Sequence, residues 1–147
     1  MSAEVPAALA AVLDGRTPGG VLPWPAGRPV ADALAAARDA GWHAAALDLT
    51  GAADKAAFMD RCAAALELPG YFGGNWDALA DCLTDLSWWP PGRGRLLVVT
   101  GWQEYAAAAP EDWGVVEEVL ADAVAYWRET ATPLALIMAG GRGRQAV

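Results

Sequence analysis

The chain has 147 residues, 18 acidic against 10 basic side chains for a net charge of −8, and 55% hydrophobic but only 19% charged residues. That length and apolar content can fill a real core, which predicts a single domain over residues 1–147 and excludes a disordered chain. The charge argues against nucleic acid as a partner, because phosphates demand Lys and Arg; it suits a basic protein surface, although solubility alone also accounts for it.

Cys62 and Cys82, the two cysteines, fall on apolar helix faces and read as buried free thiols with no metal-ligand spacing between them. With His43 as the single histidine, most zinc sites and catalytic triads are excluded. No apolar run reaches membrane-spanning length. The start, MSAEVPAALAAVLDG, lacks the basic opening of a secretory signal. The expectation is a cytoplasmic protein without cofactor or metal and with no membrane partner.

In chain order, the Ala-rich start predicts a short helix over Pro6–Leu13, closed by the loop signal RTPGG. Val21, Leu22 and Trp24 predict a short strand, cut off by Pro23 and Pro25. Pro29 suits the first turn of a helix that runs to Ala40, with Val30, Leu34 and Ala37 on one face and Gly41 as its stop. His43–Leu49, HAAALDL, reads as a buried strand. A helix over Asp54–Glu67 follows, with Phe58, Cys62, Ala65 and Leu66 inward and Lys55, Asp60 and Arg61 outward.

Next comes Leu68–Leu86, LPGYFGGNWDALADCLTDL. Pro69, Gly70, Gly73 and Gly74 mark a tight loop. Asn75 is a good N-cap, and Asp77 sits in the first helical turn, where the dipole favours negative charge. Leu79, Cys82, Leu83 and Leu86 recur at i, i+3, i+4 and i+7 as one apolar face. Asp77, Asp81 and Thr84 fall opposite, flanked by Ala80 and Asp85. Carboxylates at i and i+4 repel by about 0.2–0.5 kcal/mol on an exposed helix, so an acidic face here looks built to meet positive charge.

Beyond it, Ser87-Trp88-Trp89-Pro90-Pro91 predicts a rigid connection. Leu96–Thr100, LLVVT, is a continuous β-branched strand. A short helix over Trp102–Ala108 is expected to follow. Pro110, Glu111 and Asp112 open a long helix whose apolar stripe is Trp113, Val116, Leu120, Ala123, Val124 and Trp127. Leu134–Met138 reads as a last buried strand, and residues 140–147 as a frayed basic tail. Alternating helices and continuous apolar strands predict an α/β fold with a small parallel sheet covered by helices.

The run Leu68, Pro69, Tyr71, Phe72, Gly73, Asn75, Asp77, Ala78, Leu79, Asp81, Cys82, Leu83 resembles the barstar family, bacterial intracellular inhibitors of ribonucleases. The resemblance extends from about Ala44 to Met138. It implies a barstar-like fold with three core strands, to which residues 1–43 add a strand and a helix. It also implies a non-enzymatic inhibitor or immunity protein that blocks the basic active site of a barnase-like ribonuclease. The partner-contacting residues it implies are Tyr71, Phe72, Gly73, Asn75, Asp77, Asp81 and Thr84, and Trp76 joins them at the rim.

A ribonuclease cleft holds phosphate with Arg and Lys, so paired carboxylates imitate the substrate, and aromatic neighbours supply rigid contact area. Other duties stay open for these residues: capping for Asn75, the helix dipole for Asp77, and core packing for Tyr71, Trp76, Trp88 and Trp89. Asp81 has no such second duty. The chain departs from the family at Ala80, where the best-known members carry a large aromatic, and at Gly74, which replaces an acid. The late-helix Glu of the family corresponds to either Asp122 or Glu129.

Two other functions compete. A barstar-like domain that binds another basic toxin or a regulatory protein fits the changed helix surface. A magnesium-dependent enzyme would use Asp77, Asp81 and Asp85 at D-x3-D-x3-D, but neither a basic cluster nor a Gly-rich phosphate loop accompanies them.

Overall fold

The computed structural model describes residues 5–70, 72–90 and 92–139. Val21–Pro23 (β1), His43–Asp48 (β2), Arg95–Thr100 (β3) and Leu134–Met138 (β4) pair as one all-parallel sheet in the order β1-β4-β3-β2. Ala44 lies opposite Leu96, and Leu96 opposite Ala135. The helices are α1 (Ala7–Leu13), α2 (Ala31–Asp39), α3 (Lys55–Ala65), α4 (Trp76–Leu83), α5 (Gln103–Ala108) and α6 (Pro110–Arg128). This is the expected barstar-like α/β architecture.

Side chains alternate across a strand, so the sheet builds two cores. Leu47, Leu97, Val99, Leu134 and Leu136 pack with Phe58 and Cys62 of α3, Leu79 and Leu83 of α4, and the α6 stripe. Ala44, Leu96, Val98, Ala135 and Ile137 pack on the other face with Leu9, Val12, Ala33 and Ala37 of α1 and α2. The steps β2 to β3 and β3 to β4 move across the sheet in one direction and share one face. The step β1 to β2 moves back across it, so right-handed crossovers put α2 on the opposite face.

The differences from the sequence reading are local. The first strand ends at Pro23 rather than Trp24; it is an edge strand, where a missing N–H is tolerated, and Trp24 instead buries its ring and donates to Arg28 O at 2.9 Å. α2 starts at Ala31, two residues after Pro29. α3 stops at Ala65 because Glu67 turns left-handed (φ 54) and Leu68 N–H donates back to Ala63 O at 3.0 Å. Leu86 is fully buried as expected, yet it lies beyond the end of α4 with φ 50. The tail, residues 140–147, lies outside the described residues.

Trp88 and Trp89 are structural. Both indoles donate to Leu66 O, at 3.0 and 2.9 Å, tying the connection before β3 to the end of α3. Trp89 also packs on His43, with ring centres 4.4 Å apart. Burial lowers the proton affinity of His43, helped by the Arg95 and Arg38 charges and opposed by Glu67. A histidine whose folded pKa is lowered contributes stability that is complete above its ordinary pKa of about 6.5 and is lost progressively as pH falls below it through the lower folded-state value. The melting temperature should therefore drop between pH 7 and pH 5, and the drop should shrink in His43→Gln; a calorimetric pH series on both proteins checks this.

Gly101 ends β3 with φ 65, and a Cβ there would stand 2.6 Å from Thr50 N. Gly101→Ala combines that clash with a left-handed backbone, so it should cost at least about 2 kcal/mol in a urea titration.

Candidate partner-binding site

The loop before α4 is drawn tight by Phe72 N–H, which donates to Pro69 O at 2.9 Å. Gly74 takes φ 72, open to glycine at little cost. Asn75 then leaves the helix direction, and its side-chain oxygen accepts from Ala78 N–H at 2.8 Å. That satisfies one of the donors a helix start leaves open. Leu79, Cys82 and Leu83 turn into the core, which fixes the rotation of α4 and points Asp77 and Asp81 outward. Both carboxylates are exposed, and among the described residues neither has a hydrogen-bond or ion-pair partner.

Of the residues singled out in the sequence, Gly73 and Asn75 are exposed and Phe72, Trp76 and Thr84 are half-buried. Phe72 and Trp76 both pack against the core. Trp76 lies 5.8 Å from the Phe58 ring and carries the Lys55 ammonium at 5.5 Å on its face, so much of it serves packing. The Thr84 hydroxyl donates back to Ala80 O at 3.0 Å and closes the last turn. Tyr71 lies outside the described residues.

Phe72, Ala78, Asp81, Cys82 and Asp85 line a pocket of ≈ 180 Å³ beside the acidic face. Asp85, from the sequence a flanking residue or a magnesium ligand, thus joins Asp81 in walling a concave site. The signal for it is the spacing of Ala78, Asp81, Cys82 and Asp85 at i, i+3, i+4 and i+7, which is one helical stripe. Burial raises the Cys82 pKa, and the negative charges of Asp85 and Asp81 push it the same way. The thiol at the pocket floor therefore stays neutral at physiological pH, while the carboxylates above it give the pocket a negative field.

The carboxyl end of α4 is tied to α6. Trp127 donates its indole N–H to Leu83 O at 2.6 Å. The Arg95 guanidinium lies 4.5 Å from the Trp127 ring centre and reaches Leu86 O at 3.5 Å. Asp122 and Glu129 are both exposed, the first within α6 and the second at its C-cap. Among the described residues no group of three His, Cys, Asp or Glu is placed to hold a metal ion, so Asp77, Asp81 and Asp85 are not brought together as one. No helix among the described residues is long and apolar enough to cross a membrane.

Fold and site together define an α/β domain with a small parallel sheet and an exposed acidic helix. The Barstar (barnase inhibitor) family model matches residues 42–139 of the 147-residue chain. The chain therefore belongs to the barstar family, a family of ribonuclease inhibitors. The match takes in β2 to β4 and α3 to α6 and leaves α1, β1 and α2 outside. No curated protein matches the chain.

Asn75→Ala removes the cap and should cost about 1 kcal/mol of stability in a denaturant titration, whereas Asn75→Asp should keep most of it.

Proposed function

We propose that this chain is a non-enzymatic inhibitor, an immunity protein or antitoxin, that caps the basic active site of a small barnase-like ribonuclease in the cytoplasm. The observation that carries this reading is the pocket walled by Phe72, Asp81 and Asp85, beside the exposed carboxylates of Asp77 and Asp81, which have no hydrogen-bond or ion-pair partner among the described residues. A planar guanidinium fits such a site, with two carboxylates to accept its N–H donors and an aromatic wall to lie against. Asp77, one turn before Asp81, extends the negative stripe towards further cations. Gly73 and Asn75 expose backbone and amide groups beside it, and Tyr71, which precedes Phe72 in the sequence, is proposed as a further contact. Neither nucleic acid nor a membrane is part of this reading, and no cofactor is needed.

Ala80 favours a second reading. It leaves a small, half-buried side chain on the helix where the resemblance places a large aromatic, and that surface suits a different basic toxin or a regulatory protein.

The test is inhibition of a small secreted barnase-like ribonuclease by the wild-type chain and by Asp81→Ala. The wild type should inhibit, and the variant should bind at least about 30-fold more weakly, because truncation strands a buried cation on the partner at a cost of about 2 kcal/mol or more. Equal affinity of the two proteins would count against Asp81 as the anchor. Absence of inhibition by either protein would turn the assignment to the second reading.

A further inference from the structure

A larger cavity, of ≈ 480 Å³, opens where the α1–β1 loop meets the loops that lead into β2, β3 and β4. Its volume falls in the range of small-molecule sites. Arg16, Arg93 and Arg128 line it together with apolar side chains, including Leu13 and Trp42, and no carboxylate is among its lining residues. That is unusual in a chain of net charge −8. Asp14 pairs with Arg16 at 2.8 Å and offsets one of the three charges.

The other two arginines are held ready. Arg128 donates from Nε and Nη2 to Gly19 O, at 3.2 and 2.9 Å, which fixes the plane of its guanidinium and leaves further N–H donors over. Arg93 lies between Gly92 and Gly94. A Cβ on Gly92 would come within 2.9 Å of Gly41 O, and one on Gly94 within 2.7 Å of the Trp42 ring. The backbone must therefore press close to Gly41 and Trp42 on either side of Arg93, and its N–H donates to Gly41 O at 3.1 Å. Guanidiniums with fixed backbones and spare donors are what recognition of a phosphate needs. The apolar walls suit the uncharged part of such a ligand.

We propose that this cavity binds a small phosphate-bearing anion of nucleotide size. The site gathers the α1–β1 loop and the segments that lead into β2, β3 and β4, and it shares no lining residue with the pocket beside α4. Its Val12–Gly19 wall lies outside the family match and its Arg93 and Arg128 wall inside it. The inference is therefore independent of what the acidic helix binds.

Calorimetric titration of the full chain with pyrophosphate, adenosine 5′-monophosphate and adenosine tests it. The first two should bind saturably and adenosine should not. Arg93→Gln and Arg128→Gln should each weaken binding about tenfold or more, since each removes a charge-assisted contact. Arg93 is exposed, so its variant should keep the wild-type circular dichroism and melting temperature and decides the matter even if Arg128→Gln unfolds. No saturable heat from either phosphate compound overturns the proposal. So do monophosphate binding no tighter than that of adenosine, and wild-type affinity in a folded Arg93→Gln.

Discussion

Arg95 opens β3 directly beneath the end of α4, only 9% exposed. Its guanidinium reaches Leu86 O and lies against the Trp127 ring, while Trp127 donates to Leu83 O. Carbonyls at a helix end lack intrahelical donors, and a cation there also meets the negative end of the dipole. The arrangement has a cost. Among the described residues Arg95 Nε and Nη1 have no hydrogen-bond partner, and each unmet buried donor is worth about 1–3 kcal/mol. The ring face and the nearby Asp85 charge offset it. Burial pulls the Arg95 proton affinity down and Asp85 pushes it back up, and an arginine stays charged throughout. Together with the Trp127 bond to Leu83 O, this contact ties down the carboxyl end of a short helix whose rotation is set by the burial of Leu79, Cys82 and Leu83.

The sheet imposes a second constraint. A parallel sheet must be covered on both faces. The part of the chain that matches the family supplies α3, α4 and α6 for one face only. Much of the other core, Leu9, Val12, Leu13, Trp24, Ala33 and Ala37, comes from before residue 42. The same segment supplies β1, which pairs with β4 and covers that edge. Residues 5–41 are therefore integral to the packed sheet, and their loop at Gly15–Gly19 forms one wall of the arginine-lined cavity as a by-product of closing that face.

Much of this was legible in the sequence because the signals were local and repeated. LLVVT and LALIM are continuous apolar runs, and each is a central strand. The α6 stripe from Trp113 to Trp127 was readable from helical period alone, as was the cap at Asn75. The misreadings have a common cause. Leu86 carries the right period for α4 and is buried, but a left-handed turn delivers it to the core instead of a further helical turn. Glu67 ends α3 in the same way without a glycine. Nothing in the local pattern announces either turn, because tertiary packing holds them. The pair of indoles on Leu66 O and the clamp at Arg95 were not legible for the same reason. Their partners lie 22, 23 and 9 residues apart in the chain, and no periodicity links them.

The charge of the acidic face depends as much on where the cations are as on where the acids are. Arg16 and Arg28 pair with Asp14 and Asp32 on the α1 and α2 side of the molecule. Arg61 and Arg128 donate to backbone carbonyls, Asp48 O and Gly19 O. Arg95 is buried under Trp127. Lys55, the basic residue of α3 that reaches the start of α4, rests on the Trp76 ring rather than on Asp77. Solubility would be served equally by acids interleaved with these cations. Here the cations are bound elsewhere, and Asp77 and Asp81 keep a mutual repulsion of about 0.2–0.5 kcal/mol that a single lysine at i+4 would have turned into attraction. A field left uncompensated in that way extends into solvent, where it speeds encounter with a basic surface and discriminates against acidic ones. The fold tolerates the repulsion because Leu79, Cys82 and Leu83 anchor the same helix in the core from its other side.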